Sequence, residues 1–490
     1  MLFNSFQFLI FFIMVSIIYF IVPYKKRWIF LLSSSYIFYM VWNPILIILL
    51  IFSTFINYVA GIRIYIADKN KNYKNKKLYL ILCLMINFGL LFIFKYLGFI
   101  NEIITDILLK LNIKYSVPEY NIILPMGISF YTFQVSAYTI DIYKNKIKPL
   151  RHYGKFSLFI SFFPQLVAGP IERSQNLIPQ FYKKHYPSLK RTIMGLKIML
   201  WGYFKKVVIA DRAAIAVNTI FNSYESYTGL YYIIAMILFT FQIYCDFSGY
   251  SDIAIGSAKI MGFNLMRNFE RPFFSLKIKE FWRRWHISLS TWFSDYVYIP
   301  LGGSRVGKIK YYRNIMITFL LSGLWHGAAW TFVIWGGLHG LYIIIDDITL
   351  NFRNKIKNIF DFESNLFFRF FSIVFTFTLV VYAFMFFRAN RVYDAFYITK
   401  NMFSDFNLYL KPQYLYEVIT NIGINIYELI ILVLAIFIMI LSESIFGKDI
   451  HINIMKKSSI LEVIFYSVIT IFILAAGVYY NAGQFIYFQF

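Results

Sequence analysis

From Asn314 to Asp347 the chain reads NIMITFLLSGLWHGAAWTFVIWGGLHGLYIIIDD. The stretch holds no Lys or Arg. It lies between one cationic loop with Lys308, Lys310 and Arg313 and another with Arg353, Lys355 and Lys357. A run this long and apolar belongs in hydrocarbon, where about 20 helical residues cross a layer ~30 Å thick. Similar runs fill the 490-residue chain: 59% of its residues are hydrophobic, 15% are charged, and the mean hydropathy is +0.60. Soluble domains carry about 25% charged residues. The composition therefore excludes a disordered chain, a collagen-like chain and an ordinary soluble multidomain enzyme. It predicts an all-α polytopic membrane protein, one domain over 1–490, with roughly ten to twelve transmembrane helices plus re-entrant or interfacial ones.

The net charge of +24 invites a nucleic-acid reading, but the cations sit in short loops between apolar runs. There, Lys and Arg set topology and meet anionic head groups. Membrane lipid is the expected partner, and nucleic acid is not. Apolar runs fall at 4–23, 28–46, 45–62, 78–97, 119–141, 192–217, 229–247, 314–347, 367–387, 425–445 and 459–480. Residues 98–118 read as interfacial. Residues 156–171 are too short to cross and have basic flanks on both sides, which suggests a re-entrant element covered by protein or lining a cavity. The amino terminus reads as a retained first span, because no basic region or cleavage site accompanies it. Lys25, Lys26 and Arg27 after that span orient the amino terminus outward, and Lys456 and Lys457 before the last run place the carboxyl terminus outside too. Cys83 and Cys245 stand alone in apolar surroundings and give no disulfide or zinc framework.

Ionisable groups inside membrane helices are costly and tend to be functional. Arg313 precedes His326 by thirteen positions, or ~20 Å of helix at ~1.5 Å per residue. That places the imidazole deep in the layer, between Trp325 and Trp330. Apolar surroundings favour the uncharged ring, which can take a proton from an attacking hydroxyl. A histidine bonded to a neighbouring helix fits the position equally well. His286, after Arg283, Arg284 and Trp285, reads either as a second site histidine or as part of an interfacial aromatic and basic belt. His339 is ~220° round an ideal helix from His326 and reads as structural. His152, His185 and His451 lie in polar or basic loops.

Asp246, Asp252 and Glu172 are carboxylates at membrane depth, able to brace a cavity or to form a proton path; residues 246–252 read as a broken helix around a polar pocket. The aromatic end, Phe485 to Phe490, reads as an interfacial belt or as a tail folded inward that presents the Tyr487 hydroxyl. Metalloprotease, P-loop and serine-hydrolase motifs are missing from the sequence.

Five stretches carry a resemblance: LPMGISF at 124–130, AGPIER at 168–173, CDFSGY at 245–250, FWRRWHIS at 281–288 and LWHG at 324–327. Together they resemble the membrane-bound O-acyltransferase (MBOAT) family, and more closely its bacterial branch of alginate O-acetyltransferase membrane subunits. The resemblance is densest over 120–345. It implies a helical fold around a central tunnel, with His326 as the family histidine and His286 at the second active-site position. It also implies a catalytic role for Tyr487, since Phe485, Tyr487 and Phe490 match an aromatic tail whose tyrosine relays an acyl group.

The expected activity is therefore acyl transfer, with acetyl-CoA or another cytoplasmic acyl thioester as donor and no permanently bound cofactor or metal. Arg283, Arg284, Trp285, Asp246 and Trp325 are the candidate donor- or substrate-binding residues. The acceptor is a cell-envelope or secreted polysaccharide, reached through an extracytoplasmic SGNH/GDSL-like acyltransferase, and the location is the bacterial inner membrane. The rival reading is a transporter or flippase of lipid-linked saccharides using Asp246, Asp252 and Glu172. A third is an envelope scaffold without chemistry.

Overall fold

Backbone groups in hydrocarbon have no water to bond, so apolar runs pair their own N–H and C=O groups as helices. The computed structural model, which describes residues 1–113, 124–167, 169–350, 366–479 and 485–486, shows this outcome. Among the described residues there is no strand. Seven helices among the described residues are long and apolar enough to cross a membrane: Ile47–Lys69, Tyr73–Lys110, Leu230–Met261, Trp330–Ile348, Leu366–Arg388, Ile426–Phe446 and Ser459–Ala476. Phe6–Ile21 is a shorter apolar helix, and further helices include Arg27–Met40, Ile128–Tyr143, Leu189–Tyr203 and Lys308–His326.

Several boundaries differ from the hydropathy reading for identifiable reasons. Residues 98–110 continue the Tyr73–Lys110 helix instead of lying apart from it. Phe99, Ile100, Ile103, Ile104, Ile107 and Leu108 keep a helical period there after the hydropathy falls. The run at 192–217 divides into Leu189–Tyr203, a π-helical segment Phe204–Ala210, and Asp211–Asn222. The expected break at 246–252 is absent: Leu230–Met261 is one continuous helix. Its two carboxylates need no unwound backbone because lysines meet them. Lys206 Nζ lies 2.7 Å from Asp246 Oδ1, and Lys205 Nζ lies 2.6 Å from Asp252 Oδ2. In the stretch 156–171 the described residues form two short buried helices, Tyr153–Ser161 and Phe163–Leu166.

The chain forms two compact units, Met1–Leu196 with Ile253–Met266, and Lys197–Asp252 with Arg267–Phe490. In the first unit, buried polar side chains join three helices, as they do where lipid gives no hydrophobic drive between helices. Asn87 Oδ1 accepts from Ser53 (2.6 Å) and from Asn57 Nδ2 (3.0 Å), while Asn57 Oδ1 accepts from Thr139 (2.8 Å) and from the Cys83 thiol (3.1 Å).

In the second unit, the apolar stretch at 314–347 is not one helix. Lys308–His326 ends at Gly327, and Trp330–Ile348 packs back along it. The two backbones touch. A Cβ on Gly323 would stand 2.2 Å from the Phe332 carbonyl oxygen, and one on Gly336 would stand 2.2 Å from that of Phe319.

Gly336→Ala should therefore push the hairpin apart and cost about 1–3 kcal/mol. Gly337→Ala should be tolerated, because its nearest neighbour is Leu320 Cδ2 at 3.6 Å. Thermal unfolding of the two variants in detergent separates them, and equal losses would contradict the backbone contact.

Candidate active site

His326 is the last residue of its helix, and Gly327 leaves it in extended backbone (φ −160°). The ring is 2% exposed. The close hairpin brings Trp335 from the second helix to 4.9 Å, measured between ring centroids. Trp325 also lies at 4.9 Å, and Phe387 from Leu366–Arg388 at 5.3 Å. The helical rise from Arg313 to His326 that the sequence suggested is real. The shared-helix argument for His339 is not, because the chain turns between the two residues. Trp335 stands between the two imidazoles, 5.1 Å from His339. His339 Nδ1 accepts from Trp282 Nε1 at 3.2 Å, the bonded structural role expected for it.

His286 is wholly buried within the protein. It caps the Ile287–Phe293 helix in a left-handed conformation (φ 43°, ψ 53°), one that β-carbon crowding disfavours by on the order of 1 kcal/mol or more. Its Nδ1 accepts from the Leu289 N–H at 3.2 Å. A ring nitrogen that accepts carries no proton, so the ring proton sits on Nε2. This cap aims the imidazole at the site: the His286 and His326 centroids are 6.4 Å apart, nearly perpendicular, and Trp325 lies 6.0 Å from His286. Phe247 covers His286 at 4.6 Å.

The carboxyl-terminal segment reaches the same neighbourhood. Phe485 and Ile486 are 1% and 2% exposed. Phe485 stacks on Tyr250 at 4.5 Å and lies 5.8 Å from Phe247. The Ile486 N–H donates to Asp246 Oδ2 at 2.8 Å. Upstream, Arg212 Nη2 donates to the Ala476 carbonyl (2.6 Å) and the Val478 N–H to that of Val207 (2.9 Å). Tyr487 lies outside the described residues. Asp246 holds the tail through Oδ2 and Lys206 through Oδ1, and Lys206 also meets Asp211 at 2.8 Å. Lys205 and Lys206 were missed in the sequence; the signal was a pair of lysines inside an apolar run.

The two neighbouring arginines part company. Arg284 pairs with Glu280 and donates to the Arg271 carbonyl at 3.3 Å. Arg283 lines a cavity of about 330 Å³ together with Lys279, Trp282, Tyr298, Ser304 and Ser322. Lys279 is four residues before Arg283, a spacing that puts both on one helix face and could have revealed it. Ser322 is likewise one turn before His326. Trp285 is buried on Phe281 (5.3 Å) in the aromatic interior. Glu172, in the first unit, accepts from Asn176 Nδ2 (2.7 Å) and from the Met266 N–H. Each carboxylate the transporter reading would employ is thus already engaged inside the protein. Among the described residues, no three His, Cys, Asp or Glu side chains could hold a metal ion.

Comparison with known proteins identifies the family. The model of the membrane-bound O-acyltransferase family, MBOAT, matches residues 45–389. The chain is 36% identical over 439 residues to the probable alginate O-acetylase AlgI of Pseudomonas aeruginosa, covering 89% of this chain and 81% of that protein. It is 36% identical over 407 residues to the peptidoglycan O-acetyltransferase of Helicobacter pylori, covering 77% and 74%. It is 30% identical over 291 residues to the teichoic acid D-alanyltransferase of Bacillus subtilis, covering 56% and 71%. The transporter reading finds no support among these relatives. With its helical, multi-pass architecture and a buried histidine pair beside a docked tail, the chain belongs to the membrane-bound O-acyltransferase family and is an O-acyltransferase.

Proposed function

We propose that this protein moves an acetyl group from acetyl-CoA across the bacterial inner membrane for O-acetylation of a cell-envelope or secreted polysaccharide. The observation that carries the reading is the approach of His286 to His326 within 6.4 Å, with a tail docked through Phe485 onto Phe247, the ring that covers His286. His326 takes the proton of the attacking hydroxyl. That oxygen bonds the thioester carbonyl carbon, the carbon–sulfur bond breaks, and the proton passes to the leaving thiolate. His286, with its proton on Nε2, donates toward the developing oxyanion, as preorganised donors do in acyl transfer.

The attacking hydroxyl in this reading is that of Tyr487, and the acyl-tyrosine ester then gives up its acyl group to the acceptor hydroxyl. Docking of residues 485–486 supports an inward tail. Lys279 and Arg283 attract the donor's phosphates at the cavity of about 330 Å³, with Arg able to bind them in bidentate fashion. Trp325 walls the acyl site. Arg284, Trp285 and Asp246 act from behind it: Arg284 through Glu280, Trp285 through packing, and Asp246 by holding the tail. Both termini lie outside, and an extracytoplasmic SGNH/GDSL-like acyltransferase makes the final transfer. The single catalytic domain over 1–490 belongs to this proposal, because the family match at 45–389 runs through both compact units.

Labelled acetyl-CoA given to purified protein tests the chemistry. His326→Ala should lower thioester turnover by ~10²-fold or more, and His326→Gln, which fills more of the buried space, should lower it as well with a smaller loss of thermal stability; undiminished turnover in either variant would remove His326 from catalysis. Tyr487→Phe should abolish the acetyl label on the tail peptide in mass spectra, and a label that persists there excludes this tyrosine as carrier.

Asp246→Asn keeps an acceptor for the Ile486 N–H but breaks a buried ion pair, which costs about 3–5 kcal/mol. The tail should loosen. Maleimide labelling of an Ile486→Cys tail, which keeps the Phe485 ring and the backbone N–H to Asp246, is expected to be slow alone and fast with Asp246→Asn. Equal rates would mean that Asp246 does not hold the tail.

A further inference from the structure

The first unit contains a second concave site, which the acyl-transfer chemistry does not use. It is a cavity of about 200 Å³ whose rim carries Lys25, Arg27, His152, Lys155 and Lys183. Its floor is buried and largely apolar, formed by Tyr19, Leu31, Leu158, Phe181 and Phe263. No carboxylate lines it, and none of these four Lys and Arg side chains has an ion-pair partner among the described residues.

The rim is built in place. Arg27 donates to three carbonyls, those of Phe20 (3.0 Å), Val22 (3.0 Å) and His185 (2.6 Å), and lies 5.0 Å over the Tyr19 ring. It is a fixed positive charge. The Tyr24 hydroxyl donates to the Tyr182 carbonyl (2.7 Å), and the Lys155 ammonium lies 3.3 Å over the Tyr182 ring. His152 Nδ1 accepts from the Lys155 N–H (3.3 Å), and its ring meets Trp28 edge-on at 4.7 Å. His185, in the loop beside the cavity, is held below the usual histidine range by burial and by Arg191, Arg27 and Lys183.

We propose that this cavity binds the phosphate headgroup of an anionic phospholipid. Unpaired cations beside membrane helices recognise such headgroups, and Tyr24 and Trp28 are side chains suited to the headgroup level. The choice of a lipid over a soluble phosphate rests on the apolar helix Phe6–Ile21 that leads into the rim. Ile17 and Ile21, one turn apart on the helix that runs into Lys25, are 57% and 75% exposed. Lys25 and Arg27 thus follow directly on an apolar helix whose outward side chains suit acyl chains.

Native mass spectrometry of the delipidated full-length protein, titrated with phosphatidylglycerol and with phosphatidylcholine, tests this. The variant Lys25→Gln/Lys155→Gln/Lys183→Gln removes three rim charges that make no internal ion pair. The variant Lys71→Gln/Lys74→Gln/Lys77→Gln removes as much charge from exposed positions elsewhere in the unit. Phosphatidylglycerol should bind the wild type and the second variant alike, and the rim variant at least about tenfold more weakly, since each basic side chain near an anionic surface contributes on the order of fivefold. Equal binding of phosphatidylcholine, or equal weakening in both variants, overturns the site. Displacement of phosphatidylglycerol by millimolar pyrophosphate or coenzyme A overturns the lipid assignment in favour of a soluble phosphate.

Discussion

At Gly323 and Gly336 two helices meet backbone to backbone, and the position of the His326 imidazole follows from that contact. A side chain at either glycine would hold the helices apart. Without one, Trp335 reaches the ring at the end of the first helix, and His339 falls on the far side of the same indole, tied to Trp282. Helices in lipid associate through close packing of this kind, because the surrounding acyl chains are as apolar as the helices are. A polar ring can then be held without a soluble-type core, in a box of aromatic faces that excludes water and fixes its orientation.

Charge is handled by a second device. Two consecutive lysines each find an aspartate on the Leu230–Met261 helix, and one of those aspartates also accepts from the backbone of the tail. Burying a charge is tolerable only when it is paired and its remaining bonding capacity is met. Here the residual acceptor of Asp246 is met by Ile486, so charge pairing and tail docking are one arrangement. The interior that satisfies the lysines also keeps the carboxyl-terminal segment against Phe247 and Tyr250.

Much of this was legible from residue order. Long apolar runs separated by cations give helices and their approximate limits, and the isolated His326 in a Trp-rich stretch marks the centre of the proposed site. The sites where reading failed share a cause. Hydropathy averages over windows, so it joined 314–347 across a turn and parted 98–110 from a helix whose apolar period continues. Polarity at 246–252 looked like a break because a single sequence does not show that Lys205 and Lys206 stand opposite. The left-handed backbone of His286 leaves no trace in composition; it is a conformation that a bulky residue adopts only where its surroundings hold it there. Lys279 was legible in principle, being one turn from Arg283, yet side-chain direction decides which of two adjacent arginines faces a cavity.

The π-helical segment Phe204–Ala210 bears on how this protein can vary over time. A ladder closing i to i+5 holds one more residue in its turn than the ordinary ladder. Loss of a single codon there would restore regular spacing and swing the preceding residues by about 100° relative to those that follow, carrying both lysines off their aspartates together. Exchanges of one apolar side chain for another leave that register intact. Outside Lys205 and Lys206 the segment should therefore exchange apolar side chains readily while its length stays frozen, and insertions or deletions among descendants should collect in the connecting loops.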